Sequence, residues 1–160
     1  MTPDAAPGRF EGGVHLFPVR VYYEDTDAGG LVYHTNYLQF AERARTEMLR
    51  GAGVHQSRLM AEEGIAFVMR QCLADFLLPA RLDDGLIVAS RLLELRGASL
   101  DLEQIVRRAD VDLVRLQVKL ACCAVASGRA ARIPAQLRGV LAAFAGCMPE
   151  PYSQPEFAAP

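Results

Sequence analysis

Between Asn36 and Leu49 the residues Tyr37, Phe40, Ala41, Ala44 and Met48 fall at helical spacing on one stripe, and from Ile65 to Cys122 the chain reads as strand after strand. A chain that carries one long, mostly apolar helix and then a succession of strands has few ways to bury both. One sheet of about five antiparallel strands must cover the helix, which makes the fold α+β. Arg43, Arg45, Glu47 and Arg50 take the other side of the helix, so the charged run from Glu42 to Glu47 reads as a solvated or interfacial face. Gly51 and Gly53 end the helix.

The other elements follow from pattern and punctuation. Val14 to Tyr23 reads as a first strand, and a short helix near Gln56 to Glu63 closes at Gly64. Ile65 to Leu78 is an apolar run stopped by Pro79, and Asp83-Asp84-Gly85 is a turn. Leu86 to Leu95 and Leu100 to Arg108 are joined by the tight connection Arg96-Gly97-Ala98. Val114, Leu116, Val118, Leu120 and Cys122 alternate with Arg115, Gln117 and Lys119, the pattern of a half-buried antiparallel strand. Pro134 can open a last helix, whose stripe Leu137, Val140, Leu141 and Phe144 is expected to pack on the sheet. Residues 1–13 read as a flexible lead, 14–146 as one domain and 147–160 as a flexible proline-rich tail.

Composition narrows the function classes. A net charge of −2 excludes a general polyanion binder, so no nucleic-acid partner is expected, and an anionic ligand must be met by a few local cations or backbone amides. Cys72, Cys122, Cys123 and Cys147 form no CxxC pair and read as thiols in a reducing compartment. The N-terminus has neither the basic nor the apolar region of a secretory signal, and no apolar run is long enough to cross a bilayer. A cytoplasmic location is therefore expected. His15, His34 and His55 lack metal-ligand spacing. Asp25-x-Asp27 with Gly30 resembles a calcium loop opening, but Gly29 stands where a ligand belongs and Asn36 replaces the bidentate glutamate. No Gly-x-Ser-x-Gly elbow or P-loop is present.

The segment Arg20 to Tyr37 concentrates three carboxylates, a glycine pair, a histidine and several tyrosines where a strand gives way to a helix. Amides at a helix start are unpaired and positively polarised, which suits an anion or a developing oxyanion. A carboxylate one loop upstream, beside such amides, makes a minimal acyl-transfer site.

This segment resembles the active-site signature of the 4-hydroxybenzoyl-CoA thioesterase group of hotdog proteins. Tyr-Glu-Asp-Thr-Asp-Ala-Gly-Gly, Tyr-His-x-Asn-Tyr and Glu-Arg-Ala-Arg-Thr-Glu are similar to the Tol-Pal-associated acyl-CoA thioesterases within it, as are Pro79 to Asp84 and Leu95 to Ser99. The resemblance covers roughly Phe17 to Leu141 and implies a hotdog fold hydrolysing acyl-CoA without a cofactor or metal. It implies that Asp27 attacks the thioester or activates water, that the His34 backbone N–H polarises the carbonyl, with its ring as a possible helper, and that Tyr23 stands near the aspartate. It implies substrate contacts at Gly29, Arg96 and Ser99. The turn around Arg96 is cation-rich in the 4-hydroxybenzoyl enzyme, where it meets CoA phosphates. Here Gly97 and Ala98 accompany Arg96, so phosphate contact rests on Arg96 or on other arginines such as Arg91 or Arg129. It further implies a homodimer joined edge to edge, or a homotetramer, with each site between subunits, and it points to partners among envelope or phospholipid-synthesis proteins. A non-catalytic acyl-CoA or acyl-carrier binding module and an envelope-associated scaffold are the alternatives on the same fold.

Overall fold

The computed structural model describes residues 8–145. Residues 1–7 of the expected lead and the whole expected tail lie outside them. The elements run β1 (Arg9–Glu11), β2 (Val14–Arg20), a 3-10 turn (Tyr23–Asp25), α1 (His34–Gly51), α2 (Gln56–Arg58) continuing into a π-type turn (Leu59–Glu63), β3 (Ile65–Phe76), β4 (Gly85–Leu95), β5 (Ser99–Arg108), β6 (Val111–Ala124) and α3 (Ala135–Ala145). The strands form one antiparallel sheet in the order β1-β2-β4-β5-β6-β3.

The helical stripe is buried as its spacing demands: Tyr37, Phe40, Ala41, Ala44, Met48 and Leu49 are all in the core. They share it with the inward residues of the sheet, among them Leu86, Val88 and Leu92 of β4, Leu102 and Val106 of β5, and Leu116 and Val118 of β6. The period-2 alternation of β6 therefore marks its core face correctly. Cys122 is buried while the adjacent Cys123 is only partly so. The result is the α+β hotdog arrangement.

Three local expectations change. The sheet has six strands, because Arg9–Glu11 pairs with β2 as an edge strand too short to show a period. The first long strand stops at Arg20; Val21 still exchanges backbone bonds with Asp83 and Asp84, and the chain then turns, leaving Tyr22 and Tyr23 exposed. Arg45 is not on a solvated face: it is 3% exposed. Position 45 follows Ala41 by four residues and so lies on the buried stripe. A guanidinium there must find acceptors, and it donates to Gln104 Oε1 at 2.6 Å and to Glu42. Gln104, fully buried on β5, completes the set by donating to the Ala41 carbonyl at 2.9 Å and to Ser90 Oγ at 2.8 Å.

Candidate active site

The turn that follows the 3-10 segment is built around Asp27. Its N–H bonds the Leu31 carbonyl at 2.8 Å and its carbonyl accepts from Gly30 N–H at 3.0 Å. The carboxylate oxygen Oδ1 accepts the amides of Gly29 at 2.8 Å and Leu31 at 3.2 Å. A Cβ at Gly29 would stand 3.2 Å from Oδ1, and Gly30 has φ +76°, so both glycines serve the turn. Among the described residues the other oxygen, Oδ2, has no hydrogen-bond partner. Asp27 is thus held through one oxygen and presents the other at an exposed position.

Helix α1 starts directly after this turn. Tyr33 is its N-cap residue and makes no side-chain cap. The Asn36 amide bonds back to the Tyr33 carbonyl at 2.8 Å, whereas the His34 and Thr35 amides have no partner among the described residues. These are the orphan donors of a helix N-terminus. The His34 ring lies 4.5 Å from that of Tyr33 and edge-on to Phe76 at 6.2 Å between centroids.

A loop after β3 closes the far wall. Ala80 is clasped on both sides: its carbonyl accepts Val32 N–H at 2.9 Å and its N–H donates to the Tyr37 hydroxyl at 2.8 Å. Burial raises the Tyr37 hydroxyl pKa above its ordinary value, with the Ala80 amide and Arg108 opposing that rise. At the rear of the loop, burial pushes the Asp84 carboxyl up, but the Arg81 amide and the Arg108 guanidinium outweigh it and hold the group below the usual carboxylate range. Together these elements bound an open cleft of about 360 Å³, lined by Asp27 and His34 on one side and by Val32, Tyr37, Phe76 and Leu77 among the apolar walls.

Asp27 and His34 therefore share one cleft. Tyr23 does not line it: its ring is 84% exposed on the 3-10 turn. Gly29 N–H is already bonded to Asp27, so in this chain it orients the carboxylate. Arg96 and Ser99 stand at the other end of β4, an 11-residue strand of roughly 30 Å. There the Arg96 guanidinium pairs with Glu94 and, at 2.9 Å, with Asp101. Arg91 is largely buried against Glu103 at 2.7 Å, while Arg129 is exposed. The sequence places Tyr37 on the apolar stripe of the helix and gives Asp25 and Asn36 no site role, although all three lie inside the motif. Among the described residues no cluster of three His, Cys, Asp or Glu side chains could hold a metal ion.

A carboxylate with one uncommitted oxygen, helix-start amides and apolar walls can carry acyl transfer. Similar proteins have that chemistry in their names. The sequence model of the thioesterase-like superfamily matches residues 21–142. The acyl-CoA thioesterase YbgC of Haemophilus influenzae is 43% identical over 122 residues, 76% of this chain and 90% of its own. The acyl-CoA thioester hydrolase YbgC of Escherichia coli is 49% identical over 107 residues, 67% of this chain and 79% of its own. The crystal structure of a probable thioesterase from Bartonella henselae superimposes with a TM-score of 0.73 at 37% identity, covering 76% of this chain and 99% of that one. With this fold and this span of matched sequence, the chain belongs to the thioesterase-like superfamily.

Proposed function

We infer that the protein hydrolyses the thioester of acyl-CoA to free acid and CoA, with Asp27 as the reacting carboxylate. The observation that carries this reading is the shared cleft: Asp27 and His34, whose amide has no partner among the described residues, both line it, and its walls are apolar enough for an acyl group. In one route the free Asp27 oxygen attacks the carbonyl carbon, the C–S bond breaks to release CoA thiolate, and water then hydrolyses the mixed anhydride. In the other, Asp27 takes a proton from water, hydroxide adds to the carbonyl, and the same C–S bond breaks. Both place negative charge on the carbonyl oxygen, where the His34 N–H and the positive end of α1 stabilise it. Water is the co-substrate.

The site is completed by a second copy. Within one chain, Arg96 and Ser99 stand at the opposite end of β4 from the Asp27 turn. The outer strand β3 carries exposed Val68, Met69 and Leu73, and Phe76 to Leu78 continue this apolar edge to the cleft mouth. An apolar, unpaired edge of this kind favours association with an identical edge. Tyr23 and the ion-paired Arg96 then border the shared site from the subunit interface and contribute little to affinity. The free thiols Cys72, Cys122 and Cys123 fit a cytosolic enzyme.

The deciding experiment is thiol release from a panel of short, long and aromatic acyl-CoAs, run with light scattering. Turnover of at least one class by a dimer or larger species is the expected result. Binding without thiol release would reduce the protein to an acyl-CoA carrier, and an active monomer would remove the shared site.

A further inference from the structure

Asp25 lies two residues before the reacting carboxylate, yet it is 3% exposed and does not line the cleft. Its bonds run to two different stretches of chain. Oδ2 accepts the Tyr22 amide at 2.8 Å, at the entry to the turn that holds Asp27. Oδ1 accepts the Asn36 side-chain amide at 3.0 Å, and the Asp25 carbonyl accepts the Tyr33 amide at 2.9 Å. Tyr33 and Asn36 flank His34 at the start of α1. One residue thus ties the segment bearing the carboxylate to the first turn of the helix bearing the oxyanion donor. A carboxylate suits this job because its two oxygens accept from both sides at once, whereas an amide side chain has one acceptor. Asn36 supplies a donor and does not cap the helix: the N-cap residue is Tyr33, and it makes no side-chain cap.

We propose that Asp25 and Asn36 form a latch that sets the distance between the Asp27 carboxylate and the His34 N–H, so that both are positioning residues for thioester hydrolysis. The inference rests on the reading of Asp27 and His34 as the reacting pair. Acyl transfer needs nucleophile and oxyanion donors on one carbonyl, and a displacement near 1 Å can cost ~10²-fold in rate. The latch acts on that displacement. It gains nothing for substrate affinity, because neither side chain lines the cleft.

The test is a steady-state comparison of four proteins on the best acyl-CoA, well below each melting temperature. Asn36→Asp sets two carboxylates against each other while leaving an acidic side chain in the first helical turn, where the dipole favours it. Adding Asp25→Asn rebuilds the contact in reverse: the new amide oxygen accepts Tyr22 N–H and its nitrogen donates to the carboxylate at position 36. Asp27→Asn is the site control. Asn36→Asp should lower kcat by ~10²-fold with KM within about threefold, and the double variant should recover kcat to within about fivefold of wild type. If Asn36→Asp does not fold, Asn36→Ala, which removes the donor without adding charge, should lower kcat ~10-fold at unchanged KM. An inactive Asp27→Asn beside a fully active Asn36→Asp or Asn36→Ala overturns the latch alone. So does a double variant no better than the single, or a loss confined to KM. An Asp27→Asn variant that keeps half its turnover overturns the site reading, and the latch with it.

Discussion

The two ends of β4 are built from similar material and left in opposite states. At the Gly85 end, among the described residues, Asp27 keeps one carboxylate oxygen without a partner, and the His34 and Thr35 amides remain unpaired. At the Leu95 end the backbone of the turn Arg96 to Ser99 is largely paired. The Arg96 amide donates to the Ser99 carbonyl, the Gly97 and Ala98 carbonyls accept from Ile133 and Cys122, and Arg138 closes on the Arg96 carbonyl. The Arg96 guanidinium is also taken by Glu94 and Asp101. Both ends carry charge, but at the Leu95 end the guanidinium is held in ion pairs, whereas at the Gly85 end a carboxylate borders an open cleft. Free capacity in a walled cleft separates a reactive turn from a structural one more sharply than residue type does.

The largest expected effect attacks the free end directly. Asp27→Asn keeps the shape and loses both nucleophile and base, and turnover should fall by ~10²–10⁴-fold with the fold intact. Circular dichroism with steady-state thiol release checks it; half-retained activity would erase the contrast between the ends. Next is the amide. His34→Pro removes the N–H at a helix position where proline is tolerated, and should cost ~10²–10³-fold, whereas His34→Ala keeps the donor and should lose less than about threefold. Equal, severe loss in both variants would move the role to the imidazole. Tyr37→Phe leaves the Ala80 N–H buried without its acceptor. Urea unfolding should show ~1–3 kcal/mol less stability; no change would mean that the hydroxyl does not hold the loop. Smallest is the ion-paired end. Arg96→Ala removes a guanidinium already engaged by Glu94 and Asp101, so KM for acyl-CoA should rise no more than about threefold. A tenfold rise would show Arg96 leaving Glu94 and Asp101 for a phosphate.

The same contrast separates what the sequence makes legible from what it hides. Tyr37, Phe40, Ala41, Ala44 and Met48 announce the central helix because burial on one face imposes a period. Asp27 and Gly30 announce the turn because only certain residues close it. The burial of Arg45 is hidden because its charge argues for solvent while its position lies on the stripe, and the acceptor that permits it, Gln104, is 59 residues away. The Tyr37–Ala80 bond spans 43 residues and leaves no local trace. Tyr23 has the right motif neighbours, yet its ring is exposed and does not line its own cleft. Strand β1 has three residues, too few for any period.

The buried Arg45–Gln104–Ser90 contact has a consequence beyond burial. Apolar stripes grip without direction: a helix lying on leucines and valines can roll or slide by a fraction of a turn and lose little contact. Hydrogen bonds of 2.6–2.9 Å from β5 to Arg45 and to the Ala41 carbonyl admit one azimuth and one axial setting. Position 45 lies 11 residues from His34, about 16 Å along the axis at ~1.5 Å per residue. Because a rigid helix rolls as one body, a roll of ~20° would swing the helix-start backbone by about 0.8 Å on a cylinder of ~2.3 Å radius, however far away the contact sits. The polar contact in mid-helix works as an anti-rotation key, and the aim of the amides in the cleft is fixed from deep inside the sheet.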